Sequence, residues 1–208
     1  MGKIDEQPRG ISTSAISEGP PGDGRRVLVL GDSLTRESQE PMTRSLEASG
    51  WTPTFRCWGS KRLDWGLDQI TRAKEINQLP KYVIVALGTN DVSWVQPAVT
   101  EQRVNKLLDR LGPNRQVLWV DLDVDYSTFS STRADWFNKM IRTVARDRSN
   151  VKVVPWEKAA RSAKAYRFDG IHYGTSGCRL RGHFLTDALD ERARKVDSES
   201  PSVKQAAP

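Results

Sequence analysis

Short apolar runs alternate with segments of helical spacing along most of this chain, and that alternation leaves few folds open to it. Val27-Leu28-Val29-Leu30, Tyr82-Val83-Ile84-Val85-Ala86-Leu87, Val117-Leu118-Trp119-Val120 and Val151-Lys152-Val153-Val154 are short, β-branched and bounded by turn formers. Buried strands read this way, and a weaker run over 53–57 completes the set. Helices are predicted between them. One spans about 40–49, with Pro41 in its first turn and Gly50 as its stop; a second runs from near Asp64 to before Pro80. Val104, Leu107, Leu108 and Leu111 mark a third, closed by Gly112-Pro113. Trp136, Met140, Ile141 and Val144 mark a fourth, with Thr132 and Asp135 in capping-box register. The last is predicted over 176–195, burying Leu180, Phe184, Leu185, Ala188 and Leu189. Strand and helix in strict turn, with no internal repeat, call for a parallel sheet covered on both faces, a three-layer α/β/α sandwich.

A chain of 208 residues holds one full core and not two comfortable ones. The domain is expected over 25–195. Residues 1–24, rich in Gly, Pro and Ser, read as a flexible leader, and 196–208 as a disordered polar tail. No apolar run reaches the length of a membrane span. The leader lacks an apolar signal core, which places the chain in the cytoplasm by default, or outside it if a signal or anchor has been trimmed away. The net charge of +6 is uneven: residues 1–24 carry −2 and 196–208 carry −1, leaving +9 between them. Two readings follow, a soluble basic surface or attraction to an anionic polymer. No sequence-specific nucleic-acid motif accompanies the charge. Cys57 and Cys178 are read as buried free thiols, with a single bridge as the alternative.

The first strand stops at Gly31-Asp32-Ser33, delivering a hydroxyl to the carboxyl end of a parallel strand, where open α/β sheets bind ligands. Serine needs a base, an orienting group and donors for an oxyanion. Of the two histidines, His183 falls inside the last predicted helix, next to Phe184, and reads as structural. His172 lies in a loop, three residues after Asp169. A carboxylate there fixes one imidazole tautomer and leaves the other nitrogen to take the Ser33 proton. The candidate oxyanion donors are the Ser33 amide, the Gly59 amide after the second strand and the Asn90 side chain after the third, with Gly66 as the fallback for Gly59.

Asp121, Asp123 and Asp125 open like a calcium loop, but Tyr126 stands where the turn glycine belongs and no glutamate closes the loop. They are read as solvated loop charges, with substrate contact by Asp123 as the alternative, and no metal is assigned. Trp58, Trp65 and Trp94 fall in loops near the same rim, where aromatic faces stack on sugars, line an acyl pocket or simply join the core.

Gly31-Asp32-Ser33-Leu34, Gly59, Gly88-Thr89-Asn90-Asp91 and Asp169-Gly170-Ile171-His172, in that order, resemble the sequence blocks of the GDSL/SGNH hydrolase superfamily. The resemblance covers about 25–190. It implies a flavodoxin-like sheet in the order 2-1-3-4-5 and a serine esterase that needs neither metal nor cofactor. It also implies Ser33, Asp169 and His172 as the triad, and Ser33, Gly59 and Asn90 as the oxyanion hole. The short predicted loops leave no lid, which favours an ester with a small acyl group on a polar carrier, and the family analogy adds cell-envelope carbohydrate as that carrier. Two alternatives stay open: O-acyl transfer by the same triad, and a non-catalytic basic module that binds an anionic polymer. Oligomeric state is not encoded in these motifs.

Overall fold

In the computed structural model, which describes residues 25–199, strand β1 (Arg26–Gly31) pairs in parallel with β2 (Thr52–Cys57) on one side and β3 (Tyr82–Ala86) on the other. Strands β4 (Gln116–Val120) and β5 (Val151–Val154) extend the sheet beyond β3, so the order is β2-β1-β3-β4-β5, all parallel. This is the predicted order. Every residue of β3 is buried, as a central strand covered on both faces requires.

Alternate side chains of the strands feed two separate cores. Leu28, Leu30, Val83, Val85, Val117 and Trp119 point to one side, against α3 (Leu63–Glu75), α5 (Pro97–Leu111) and α6 (Thr128–Arg146). Val27, Val29, Ile84, Leu118 and Val120 point to the other, against α2 (Gln39–Ala48), α7 (Trp156–Ser162) and α8 (Thr175–Glu199). The period-two alternation of the strands thus builds both faces of the three-layer sandwich. Leu185 and Leu189 are buried in the second core, with Leu180, Phe184 and Ala188 packed at its edge.

Several boundaries differ from the sequence reading. Helix α6 starts at Thr128, earlier than predicted, because its capping box is built by Ser127 and Ser130 rather than by Thr132 and Asp135. A serine replaces the usual Glu or Gln at the third helical position, so the signature is easy to pass over. Three short helices, α1 (Ser33–Glu37), α4 (Thr89–Trp94) and α7, were not predicted, because helices this short show too few turns for a period to register. Helix α8 runs to Glu199, through the first four positions of the expected tail. The expected leader over 1–24 and the rest of the tail lie outside the described residues.

Candidate active site

Parallel pairing puts the ends of three neighbouring strands at one level. Gly31 lies opposite Cys57 in β2 and Ala86 in β3. Ser33, Gly59 and Asn90 therefore leave adjacent strands at the same rim. Asp32 caps α1 by accepting from the Leu34 amide at 3.1 Å. That cap puts Ser33 at the first helical position, partly exposed, while Asp32 is fully buried. Burial pushes the Asp32 carboxyl up to about 6, with the buried Arg181 guanidinium opposing the shift.

His172 comes from the segment between α7 and α8. Arg167 and Tyr173 form an antiparallel bridge, and the Phe168 amide donates to the His172 carbonyl at 3.1 Å, so Asp169-Gly170-Ile171-His172 sits at a hairpin tip. The tip is stitched to the loop between β4 and α6 by the Asp125 amide, which donates to the Gly170 carbonyl at 2.8 Å. Gly170 is required there. Its φ is +80°, and a Cβ would lie 2.5 Å from the Asp125 carbonyl oxygen.

The structure brings the three predicted residues into one chain of contacts. Ser33 Oγ lies 2.9 Å from His172 Nε2, and His172 Nδ1 lies 2.7 Å from Asp169 Oδ2. The other Asp169 oxygen accepts from the amides of Ile171 at 3.0 Å and His172 at 2.8 Å. Desolvation raises the Asp169 pKa, but those amides and the imidazole outweigh it and hold the carboxyl below its ordinary value. Phe168 stacks on the imidazole, with centroids 5.8 Å apart and the planes tilted by 17°. An imidazole held in this way has one nitrogen committed to a carboxylate and the other facing a hydroxyl, the arrangement that turns serine into a nucleophile.

Asn90 and Asp91 tie the second and third turns together. Asn90 Nδ2 donates to the Lys61 carbonyl at 3.1 Å, and since an amide nitrogen carries two hydrogens, a second remains for the rim. Asp91, fully buried, accepts from the Leu63 amide at 3.0 Å and from Arg103 at 3.3 Å. These contacts fix the loop that carries Gly59. A Cβ on Gly59 would meet nothing within 4 Å, so the space over its backbone is open. Gly66, the fallback, is not at the rim: it is buried in α3, where a Cβ would stand 2.5 Å from Leu87 Cδ1. Its role is close packing of helix on sheet.

Asp123 corrects the sequence reading. It is only 2% exposed and contacts neither solvent nor the open rim as a substrate ligand would. Tyr173 donates to its Oδ2 at 2.6 Å, Arg161 Nε donates at 3.2 Å, and Arg167 Nη1 donates to Oδ2 as well. The phenol in turn accepts from Trp156 Nε1 at 3.0 Å. Asp123 is the buried post to which both ends of the His172 hairpin are tied. Asp121 is likewise buried, paired with Arg142 at 2.6 Å and accepting from the Glu157 amide, while Asp125 is exposed. Among these three carboxylates only Asp125 is the solvated loop charge expected of them all.

Of the candidate aromatic contacts, Trp58 is partly exposed with the Arg36 guanidinium 5.1 Å from its ring centroid, and Trp94 is 80% exposed at the end of α4. Trp65 packs against the first core. His183 is exposed on α8, its Nδ1 3.3 Å from Ser45 Oγ. Cys57 and Cys178 are buried and unbridged, and burial pushes the Cys57 thiol up to about 12. A cleft of about 570 Å³ opens beside the hairpin, lined by Glu37, Glu40, Arg44, Phe168, Thr175 and Arg179 among others. Glu37, which the sequence reading left without a role, lies with Oε1 4.0 Å from His172 Nε2. No local motif marks it; only its position one turn after Ser33 would have raised the question.

Residues 16–180 match the GDSL-like lipase/acylhydrolase family. Over 114 residues the chain is 32% identical to the O-acetyltransferase OatA of Staphylococcus aureus; the match covers 53% of this chain and 17% of that much longer protein. Among solved structures, the C-terminal catalytic domain of Streptococcus pneumoniae peptidoglycan O-acetyltransferase A, carrying a methylsulfonyl adduct, superposes with a TM-score of 0.69 at 14% identity. That superposition covers 82% of this chain and 96% of that one. A family 3 carbohydrate esterase of Clostridium thermocellum gives 0.65 at 13% identity, covering 82% and 98%. At these identities the structural likeness concerns the fold.

Proposed function

Because this chain belongs to the GDSL-like lipase/acylhydrolase family, we propose that it is a serine-dependent ester hydrolase working through an acyl-serine intermediate. The observation that carries this reading is the continuous contact Ser33 Oγ, His172 Nε2, His172 Nδ1, Asp169 Oδ2, at 2.9 and 2.7 Å. His172 takes the Ser33 proton as Oγ attacks the ester carbonyl, then gives it to the departing alkoxide. Asp169 holds the tautomer and stabilises the imidazolium. The Ser33 and Gly59 amides and the remaining Asn90 N–H receive the oxyanion, and each such donor supplies about 3 to 4 kcal/mol of transition-state stabilisation.

A small acyl group on a carbohydrate is the substrate this reading favours. Its support is the open space over Gly59, the exposed indole of Trp94 and similar folds named as a peptidoglycan O-acetyltransferase and a carbohydrate esterase. Trp58 and Trp94 are the faces offered to a sugar ring. Acyl transfer is the second reading, favoured by the 32% identity to a protein named as an O-acetyltransferase.

The test is labelling by a fluorophosphonate together with turnover of p-nitrophenyl acetate. Both are expected for the wild-type protein and both should vanish in Ser33→Ala. Binding of an anionic polymer with neither labelling nor turnover would instead leave the non-catalytic reading standing.

A further inference from the structure

Glu37 is a carboxylate placed against the working nitrogen of His172. It follows Ser33 by one turn of α1, its side chain is 39% exposed, and its Oε1 stands 4.0 Å from Nε2, the atom that faces Ser33 Oγ. The serine nucleophile already accounts for Nε2, and Asp169 already orients the ring. Neither step uses Glu37.

We propose that Glu37 holds the water that attacks the acyl-serine, and so commits this site to hydrolysis rather than to transfer onto an alcohol. The inference rests on the acyl-serine mechanism proposed above. A separation of 4.0 Å is too long for a direct hydrogen bond. It is spanned, however, by a single oxygen about 2.8 Å from each atom, with the two contacts subtending about 90°. Water meets that geometry with both of its hydrogens, one donated to Nε2 and one to the carboxylate, leaving a lone pair for the acyl carbon. An alcohol has one hydroxyl hydrogen, and the base must have it. Its other substituent is carbon, which offers nothing to a group that only accepts.

The surroundings agree with a water site. Phe168 covers one face of the imidazole, and Glu37 and Phe168 also line the open cleft beside the hairpin, together with Thr175 and Arg179. Arg36, the neighbouring cation on α1, has its guanidinium stacked over Trp58. Arg44, further along the cleft, is paired with Glu40.

In the deacylation step the water oxygen bonds to the acyl carbon while one water proton passes to Nε2. The bond between the acyl carbon and Ser33 Oγ then breaks, and Nε2 returns the proton to Oγ. The second water hydrogen, donated to Glu37 throughout, leaves on the acid. Glu37 accepts a hydrogen bond and takes no proton.

The measurement is product partition. p-Nitrophenyl acetate is turned over in the presence of methanol as competing nucleophile, and methyl acetate is compared with acetate. Partition is decided after acylation, so it is insensitive to how fast Ser33 is acylated. The ester-to-acid ratio is expected to rise about tenfold in Glu37→Ala, the loss of one charge-assisted hydrogen bond to the water alone. Glu37→Gln, which keeps an acceptor without the charge, should fall between. Slower deacylation should also appear as a p-nitrophenol burst. An unaltered ratio in variants that still acylate overturns this inference and leaves the esterase reading intact. A wild-type protein that releases no p-nitrophenol and resists the fluorophosphonate overturns both.

Discussion

His172 Nδ1 and Asp169 Oδ2 lie 2.7 Å apart at the protein surface, with 40% of the Asp169 side chain exposed. The orienting carboxylate is therefore wet. Its grip on the ring depends on the two amides that pin its other oxygen rather than on burial.

Exposure sets the expected cost of losing that carboxylate. Asp169→Asn should lower kcat by about a hundredfold to a thousandfold, less than where the aspartate is buried, because water can partly solvate the imidazolium in its place. The esterase assay under saturating substrate checks this.

Asn90 serves two ends at once, donating to the Lys61 carbonyl and offering its other hydrogen to the rim. Asn90→Ala should lower kcat by about a hundredfold to a thousandfold with a smaller change in KM, as loss of an oxyanion donor does. Asp91, fully buried, holds the same loop through the Leu63 amide, and Asp91→Asn removes its charge. It should lower stability more than kcat, and comparing the two variants separates donation from support.

Asp123 anchors the His172 hairpin through Tyr173, Arg161 and Arg167. Replacing it with Asn leaves the buried Tyr173 hydroxyl and the largely buried Arg167 guanidinium facing a neutral amide. The expected loss is about 2 to 4 kcal/mol of stability, read from urea unfolding. Because the strut ends at the residue after His172, kcat should fall as well, measured where the variant is still folded. Asp121→Asn neutralises a comparably buried carboxylate paired with the half-exposed Arg142, away from the hairpin. It should destabilise without the same loss in kcat.

Three buried carboxyls give the protein an unusual pH response. Burial pushes Asp32, Asp91 and Asp121 up to about 6 from an ordinary 3.8. A carboxyl that binds its proton more tightly when folded contributes stability that is fully present below the unfolded value and is lost as pH rises through the folded one. The urea midpoint should therefore rise as pH is lowered from about 7.5 to about 5. Asp32→Asn keeps an acceptor for the Leu34 amide and should flatten that slope. Asp169 and Glu191 are shifted the other way but are exposed, so solvent screens their share.

The sequence by itself determined the architecture and the residues of the candidate site. Strand and helix periods are local properties, so the run from Val27 to Leu30 or from Tyr82 to Ala86 announces a buried strand without reference to the rest of the chain. Ser33 at a strand end, and Asp169 three residues before His172, are local in the same sense. The sheet order came with the family resemblance, and the pairings of β1 with β2 and β3 agree with it.

What only the tertiary structure decided is the state of groups whose partners come from far along the chain. Asp123 looks like a loop carboxylate until Arg161, Arg167 and Tyr173 converge on it and take it out of water. Gly66 falls inside the predicted helix with no local reason to be glycine until Leu87 fills the space beside it. Glu37 has no identity at all until His172 arrives from the other end of the domain and stands 4.0 Å away. Periodicity reports which way a side chain points, but burial, pairing and reach are set by packing between segments that local pattern cannot place relative to one another.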